Sequence, residues 1–517
     1  FPTRRSSDLH QLKEKSQIKM GAILSYAIIV VNMLVGILYT PILTAKLGQS
    51  EYGLYSLVTS VISYLTILDF GFGNAIIIYT TKYRVSKQKE KEEKLHGMFL
   101  IIYTIIGIIA GIIGAILWIN VDKLFGNSMT HEELQKAKVL MGILTLNLVL
   151  TFPLSVFSSI ITVYEKFIFS KLLNLIRIIA TPIVMLVLLN FGYKSIALVI
   201  LNTVLNLVTL ILNYVYCKQK LHIKLKFGKI DIKLLKEIMA YSVWIFLNSI
   251  MDKINWNVDQ FILGTISGTA VVAIYSVASQ LNQMYLNFST AIAGVMLPKV
   301  AKMEEQKATD EEFSQVFIQT GRIQYIVMAL IMSGFVLYGQ EFINLLWVGP
   351  EYSQSYIIAC ILMLPLTIPL IQNVGLNIIQ AKNQYKLRVI VLFVFAIFNL
   401  IVTIFLAKLY GGIGAAIGTS LSIICGQIIF MNIFYYKKTH INIPEFWKNI
   451  LKMSIPVLVV AFFGVIIKKV WPIDNNLKLV IQILIYTVLY LGIMWKFGTN
   501  QYEKELVTKP LNKLFKK

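Results

Sequence analysis

The sequence predicts an all-α polytopic membrane protein of about fourteen transmembrane helices, the count following from about 20 apolar residues per span. Three observations carry that prediction. Hydrophobic residues make up 57 % of the 517 positions, charged residues only 14 %, and the mean hydropathy is +0.71; an ordinary soluble domain carries about 25 % charge. Apolar segments of bilayer-spanning length follow one another along almost the whole chain. Lys and Arg concentrate in every second connection.

In order, the apolar segments run over 19–44, 53–80, 95–119, 138–162, 168–190, 194–217, 238–264, 270–297, 316–340, 355–380, 386–407, 411–436, 451–468 and 477–496. The connections are short, the longest lying at 218–237 and 298–315. Such loops are too small to bury a core of their own, so no extramembrane domain is expected. Residues 1–18 are set aside as a non-native or disordered tail, since FPTRRSSDL has neither an initiating Met nor the apolar stretch of a signal peptide.

The formal net charge of +22 points to topology, not to nucleic acid. With the N-terminus placed in the cytoplasm, 37 of the 48 Lys and Arg fall on that side and 9 on the other, leaving Arg177 and Lys253 inside spans. Such a bias fits an even number of spans with both termini cytoplasmic. Basic runs such as Lys218 to Lys236 therefore read as orientation signals and contacts to anionic membrane lipids.

The stretch Tyr39–Arg84 sets the theme: an apolar segment, a polar turn around Leu47-Gly48 and Tyr52-Gly53, then a second apolar segment interrupted by Asp69-Phe70-Gly71-Phe72-Gly73-Asn74. Repetition follows. Phe191-Gly192-Tyr193 and Tyr410-Gly411-Gly412 lie 219 positions apart, at the turns between spans 5 and 6 and between spans 11 and 12. Leu47-Gly48 with Tyr55-Ser56 echoes as Leu263-Gly264 with Tyr275-Ser276. The expected organisation is a six-helix bundle over 19–217, a basic cytoplasmic linker over 218–237, a second bundle over 238–436, and two extra helices with a basic tail over 437–517. Six spans per copy insert both copies the same way up, an arrangement suited to alternating access around a polar cavity.

Helical spacing nominates the cavity lining. Asn248, Asp252, Asn255 and Asp259 fall at i, i+4, i+7 and i+11 of span 7, with Lys253 beside them. Span 8 adds Gln280 and Gln283, span 10 adds Asn373 and Asn377, span 2 adds Asp69, and span 5 adds Arg177 near mid-membrane. Amides of this kind often join helices. Charges inside a bilayer need water or a partner and mark functional sites.

Enzyme chemistry finds no support. The five histidines are scattered, there is no phosphate-binding loop and no nucleophile elbow, and DFGFG lies inside a membrane segment without the other kinase elements. Cys217, Cys360 and Cys425 read as small core residues, without metal spacing.

Pro41, Leu47-Gly48, Tyr52-Gly53-Leu54-Tyr55 and Asp69-Phe70-Gly71 followed by Asn74-Ala75 resemble the bacterial polysaccharide flippases for lipid-linked oligosaccharides of O-antigen, capsule and exopolysaccharide. Those belong to the superfamily that also holds multidrug extruders and lipid II flippases. The resemblance implies a MATE-like fold, no catalysis, and an undecaprenyl-diphosphate-linked glycan as substrate. It also implies a coupling ion, H⁺ or Na⁺, no other cofactor, and a polysaccharide polymerase with chain-length machinery as partners. On that footing Arg177 and Lys253 become candidates for the diphosphate, and Lys82, Arg84 and Arg322 for capture near the inner mouth. Asp69, Asp252 and Asp259 become the ion-coupling acids. Span 1 holds neither Arg nor Asp, a departure from the lipid II flippases, which carry a cationic cluster there. Lipid II flippase and cation-coupled drug extruder stand as the alternatives.

Overall fold

The computed structural model describes residues 3–228, 231–382, 384–506 and 508. Every regular element among them is helical. The chain divides into two compact units, Phe1–Ala273 and Ile274–Lys517.

In the first unit α1 (Thr3–Leu47) is helical from its first turn, so the backbone of the presumed tail continues into the first span. It ends at Gly48, whose φ of 79° favours glycine. The second span is broken: α2 (Gln49–Leu65) passes through a 3₁₀ turn at Thr66–Asp69, then Phe70 and Gly71 adopt left-handed φ of 51° and 72°, and α3 (Phe72–Val85) resumes. Then come α4 (Lys89–Ile119), the short α5 (Val121–Phe125), α6 (His131–Val163), α7 (Phe167–Asn190), α8 (Ser195–Gln219) and α9 (Ile232–Ile266). A capping box starts α6, with Thr130 N–H donating to the Glu133 carboxylate at 2.8 Å and Glu133 N–H to Thr130 Oγ1 at 3.3 Å. Small residues let α4 lie close on α6: a Cβ on Gly107 would stand 2.8 Å from the Val149 carbonyl oxygen, and one on Gly114 2.4 Å from Thr145.

The division between units falls after Ala273 and not at the basic linker, because α9 packs on α2, α3 and α5. Within the linker residues 222–228 form no regular element, and Lys226 N–H donates to the Glu93 carbonyl of α4 at 3.1 Å.

α10 (Thr269–Glu305) leads into the second unit, which continues with α11 (Asp310–Glu341), α12 (Gln354–Ile371), α13 (Val374–Ala381), α14 (Tyr385–Ser422) and α15 (Met431–Lys437). Within α14 the chain reverses at Gly411, where φ is 57° and ψ −133°. A Cβ on Gly414 would stand 2.0 Å from the Leu406 carbonyl oxygen, so the two arms lie against each other as antiparallel helices. Gly192, its counterpart 219 positions earlier, is also left-handed, with φ of 84°. Both glycines thus have a positive φ.

α16 (Ile443–Val470) and α17 (Asn476–Ile493) are built into the second unit. Their Val460, Tyr486 and Tyr490 bury against Tyr338 and Ala329 of α11, and Tyr490 donates to the Ile326 carbonyl at 2.9 Å. Among the described residues eleven helical segments are long and apolar enough to cross a membrane, twelve with the bent pair Ile232–Ala240 and Ile245–Asn255. The Gly411 reversal divides one of them and α10 adds a further long helix, which is consistent with about fourteen spans.

Candidate functional site

The break in the second span gathers the most chemistry. Asp69 accepts a hydrogen bond from Tyr103 Oη of α4 at 2.5 Å. Gly71 is required twice over: its φ is left-handed, and a Cβ there would stand 2.5 Å from Ile245 Cγ2. Phe70 stacks on Phe246 with ring centroids 4.6 Å apart. Ile245 and Phe246 begin the second arm of α9, which bends by 47° between Ala240 and Ile245. Two helix irregularities are therefore seated on one another.

The polar stripe of α9 has two environments. Asn248 donates to Asp252 at 3.0 Å, and Asp252 is exposed. Lys253 is half-buried, with the charge of Asp252 as its neighbour and no ion pair among the described residues. Asn255 is also half-buried. One to two turns on, Asp259 is only 2 % exposed and faces Tyr64 of α2. Ser60 Oγ donates to the Asn257 carbonyl at 3.0 Å, fixing this end of α9 to α2. Helical spacing placed the acids on one face; the path of α2 along that face separates them.

Arg177, on α7, is half-buried and donates to Asn206 Oδ1 of α8 at 3.1 Å. Asn206 in turn donates to Asn147 Oδ1 at 3.0 Å and Thr151 Oγ1 at 2.8 Å, both on α6. Three helices thus hold one guanidinium. No carboxylate pairs with it among the described residues.

The three capture candidates part company. Lys82 and Arg84 are exposed, and Arg84 lies 3.6 Å from the ring centroid of Tyr164, which donates to Glu92 at 3.0 Å. Arg322 has a different setting. It is 7 % exposed, its Nε and Nη2 donate to the two Glu503 oxygens at 2.5 and 3.0 Å, Nη1 donates to Asn449, and Nη2 also to the Gly498 carbonyl. Its charge is matched by Glu503 and four of its five N–H groups are engaged, so it works as an internal clamp.

In the second unit Asn373 donates to Ser289 Oγ at 3.3 Å, Asn377 to the Ala293 carbonyl at 2.9 Å, and Gln324 to the Ser289 carbonyl at 3.2 Å. These amides join helices. Gln280 is half-buried and Gln283 is exposed, donating to Asn287 at 3.4 Å. Among the described residues no group of three or more His, Cys, Asp or Glu is placed to hold a metal ion.

The family profile described as "Polysaccharide biosynthesis protein" matches residues 18–304, more than half of the chain. The chain belongs to this family. The resemblance read from the opening hairpin holds at that level. A protein named "Putative O-antigen transporter" from Shigella flexneri is 21 % identical over 394 residues, covering 75 % of this chain and 90 % of its own length. Among solved structures, the lipid II flippase MurJ in an inward closed conformation gives a TM-score of 0.72 at 19 % identity, over 92 % of this chain and 98 % of its own. An inward-facing MATE multidrug resistance transporter of the MOP superfamily gives 0.56 at 14 %, over 81 % and 99 %. At such identities the likeness is one of fold.

Two further acids of this family member escaped sequence reasoning. Glu51, 8 % exposed, accepts from Ser195 Oγ at 2.5 Å and from Lys136 Nζ at 3.0 Å. Glu133 accepts from Ser50 at 2.5 Å and Thr269 at 2.7 Å. Together they tie the starts of α2, α6, α8 and α10. The capping pattern Thr130-His131-Glu132-Glu133 is legible in the sequence, but the remote partners are not.

Proposed function

We propose that the chain is a flippase for undecaprenyl-diphosphate-linked oligosaccharide repeat units, moving them across the cytoplasmic membrane of a bacterium by ion-coupled alternating access for cell-surface polysaccharide synthesis. In this reading both termini are cytoplasmic and no bond is made or broken. Membership in a polysaccharide biosynthesis family supports the substrate class. The fold shared with MurJ and MATE proteins supports transport over catalysis.

The single observation that carries the reading is Arg177. A guanidinium held inside the membrane by neutral amides, with no counter-charge among the described residues, is a host for an anion. Its planar fork suits the paired oxygens of a diphosphate. Lys253 supplies a second cation, with Lys82 and Arg84 as exposed capture groups. Asn248, Asn255, Gln280 and Gln283 are the amides proposed for sugar hydroxyls, and Asn373 and Asn377 brace α10, which carries the two glutamines.

The test is reconstitution in proteoliposomes, measuring how much undecaprenyl-diphosphate oligosaccharide becomes accessible on the far side. Arg177→Ala and Lys253→Ala are expected to abolish translocation while inserting normally. Full translocation by both variants would remove the cationic site. Movement of lipid II alone would transfer the chain to that alternative, and efflux of cationic dyes alone to the drug extruders.

A further inference from the structure

We propose that Asn206 is the positioning residue of the Arg177 site: it holds the guanidinium without neutralising it, and so sets the site for ligands that only accept hydrogen bonds, the oxygens of a diphosphate ester above all. The inference rests on the flippase reading and adds to it the residue that gives the anion site its selectivity.

The arginine fixes the direction of every bond in this cluster. A guanidinium has five N–H donors and no acceptor, so the atom of Asn206 that meets Arg177 Nη1 at 3.1 Å is the amide oxygen. The Asn206 NH2 group is thereby turned to α6, where it donates to Asn147 Oδ1 at 3.0 Å and to Thr151 Oγ1 at 2.8 Å. Thr151 Oγ1 donates in turn to the backbone carbonyl of Asn147 at 2.7 Å. Asn147 accepts through Oδ1, and its own NH2 group has no partner among the described residues. What the cluster has left to offer a ligand is therefore donors: four N–H groups of Arg177 and two of Asn147. Arg177 Nε and Nη2 and Asn147 Nδ2 are not sealed in, and each keeps contact with the surface.

The seam between α6 and α8 shows the same contact without an arginine. Asn213 and Ser158 each lie seven residues beyond Asn206 and Thr151, on the same helix faces. There Asn213 Nδ2 donates to Ser158 Oγ at 2.8 Å, while the Asn213 amide oxygen is buried with no partner. At Asn206 that oxygen carries Arg177, so the seam supplies the amide and α7 supplies the charge. Joining helices is the usual work of such amides, and Asn213 does only that. Asn206 has the second contact.

The consequence is selectivity by polarity. An aspartate at 206 would also reach Arg177, but as an ion pair: its carboxylate would match the charge and bring acceptors into a site built of donors. Asparagine orients the guanidinium and leaves its charge to the ligand. Diphosphate oxygens carry charge and lone pairs, which complement the free donors. A cationic ligand would meet donors and like charge, which excludes it. A bare polyprenol offers one hydroxyl and no charge, so its chain alone would have to hold it. The chemistry recognised is the diphosphate, which a lipid or a free anion could bring; the lipid is the ligand inferred.

The experiment uses the full chain in nanodiscs and measures its affinity for undecaprenyl diphosphate, with undecaprenol as the chain-only probe and inorganic pyrophosphate as the anion-only probe. Asn206→Asp keeps an oxygen toward Arg177 and adds the counter-charge. This variant is expected to melt no lower than the unchanged protein, yet to bind undecaprenyl diphosphate at least about tenfold more weakly relative to undecaprenol. A merely structural role would lower the melting temperature and leave that ratio alone. Where Asn206→Asp fails to insert, Asn147→Asp decides in its place, because it puts an acceptor at the far end of the relay and is expected to shift the same ratio. An unmoved ratio overturns the proposal, and so does an unchanged protein that binds neither diphosphate. Binding of pyrophosphate but not of the lipid keeps the donor site and defeats the flippase reading, as does a selective site in a protein that moves no glycan. Glycan translocation undiminished in Asn206→Asp defeats the role of Asn206 alone.

Discussion

A buried guanidinium is defined by what its donors meet, and two arginines of this chain answer differently. Arg322 meets a carboxylate in bidentate geometry, an amide and a carbonyl. Arg177 meets a chain of neutral amides. Breaking a buried pair by removing one partner costs about 3–5 kcal/mol, whereas replacing both partners with apolar residues is often neutral. Arg322→Ala and Glu503→Ala are therefore each expected to lower thermal stability in detergent strongly, and the double change to Met and Leu to recover most of it. Arg177→Ala is expected to leave the melting temperature nearly unchanged while glycan translocation is lost. In the sequence both residues are lone arginines in apolar surroundings. Glu503 lies 181 positions from Arg322, so only the folded chain distinguishes a clamp from a candidate anion site.

At the scale of elements, glycines decide where helices stop. Gly48, Gly71, Gly192 and Gly411 all have left-handed φ, and each stands in a motif visible in the sequence. Their surroundings differ. Nothing lies within 4 Å of a Cβ built on Gly48, while one on Gly71 runs into Ile245. Gly48→Ala is expected to cost only the backbone strain, about 1–3 kcal/mol. Gly71→Ala adds a clash with α9 and is expected to destabilise more, a ranking that melting curves of the two variants will check. The break at Asp69–Gly73 was readable as a polar, glycine-rich interruption of an apolar span. Its mate, the bend of α9 between Ala240 and Ile245, was not, since residues 240–245 contain neither Pro nor Gly.

At the scale of the whole molecule, charge asymmetry and span number act together. Reporters fused after Phe227 and at the C-terminus are expected to report a cytoplasmic location, and reporters inserted at Gly192 and Tyr410 the opposite side; any of the four on the wrong side would break the even-span topology. The last two helices belong to the second unit, with Tyr486 and Tyr490 buried on α11 and Glu503 clamped by Arg322. Truncation after Val470 is accordingly expected to lower the yield of folded protein in the membrane, measured by size-exclusion of detergent extracts.

Class, approximate span number and the family were all determined by the sequence itself. Each rests on properties that are local or summed along the chain: apolar length against bilayer thickness, basic residues counted loop by loop, and glycines where the backbone must turn. What tertiary structure alone decided is the meaning of the polar residues inside the spans. Asp69 gained Tyr103, Asp259 was buried by α2, Arg177 was left among amides and Arg322 was paired away. The physical reason is that an intramembrane charge takes its character from the partners that remote helices bring to it, and helical periodicity specifies a face of one helix without specifying its neighbour.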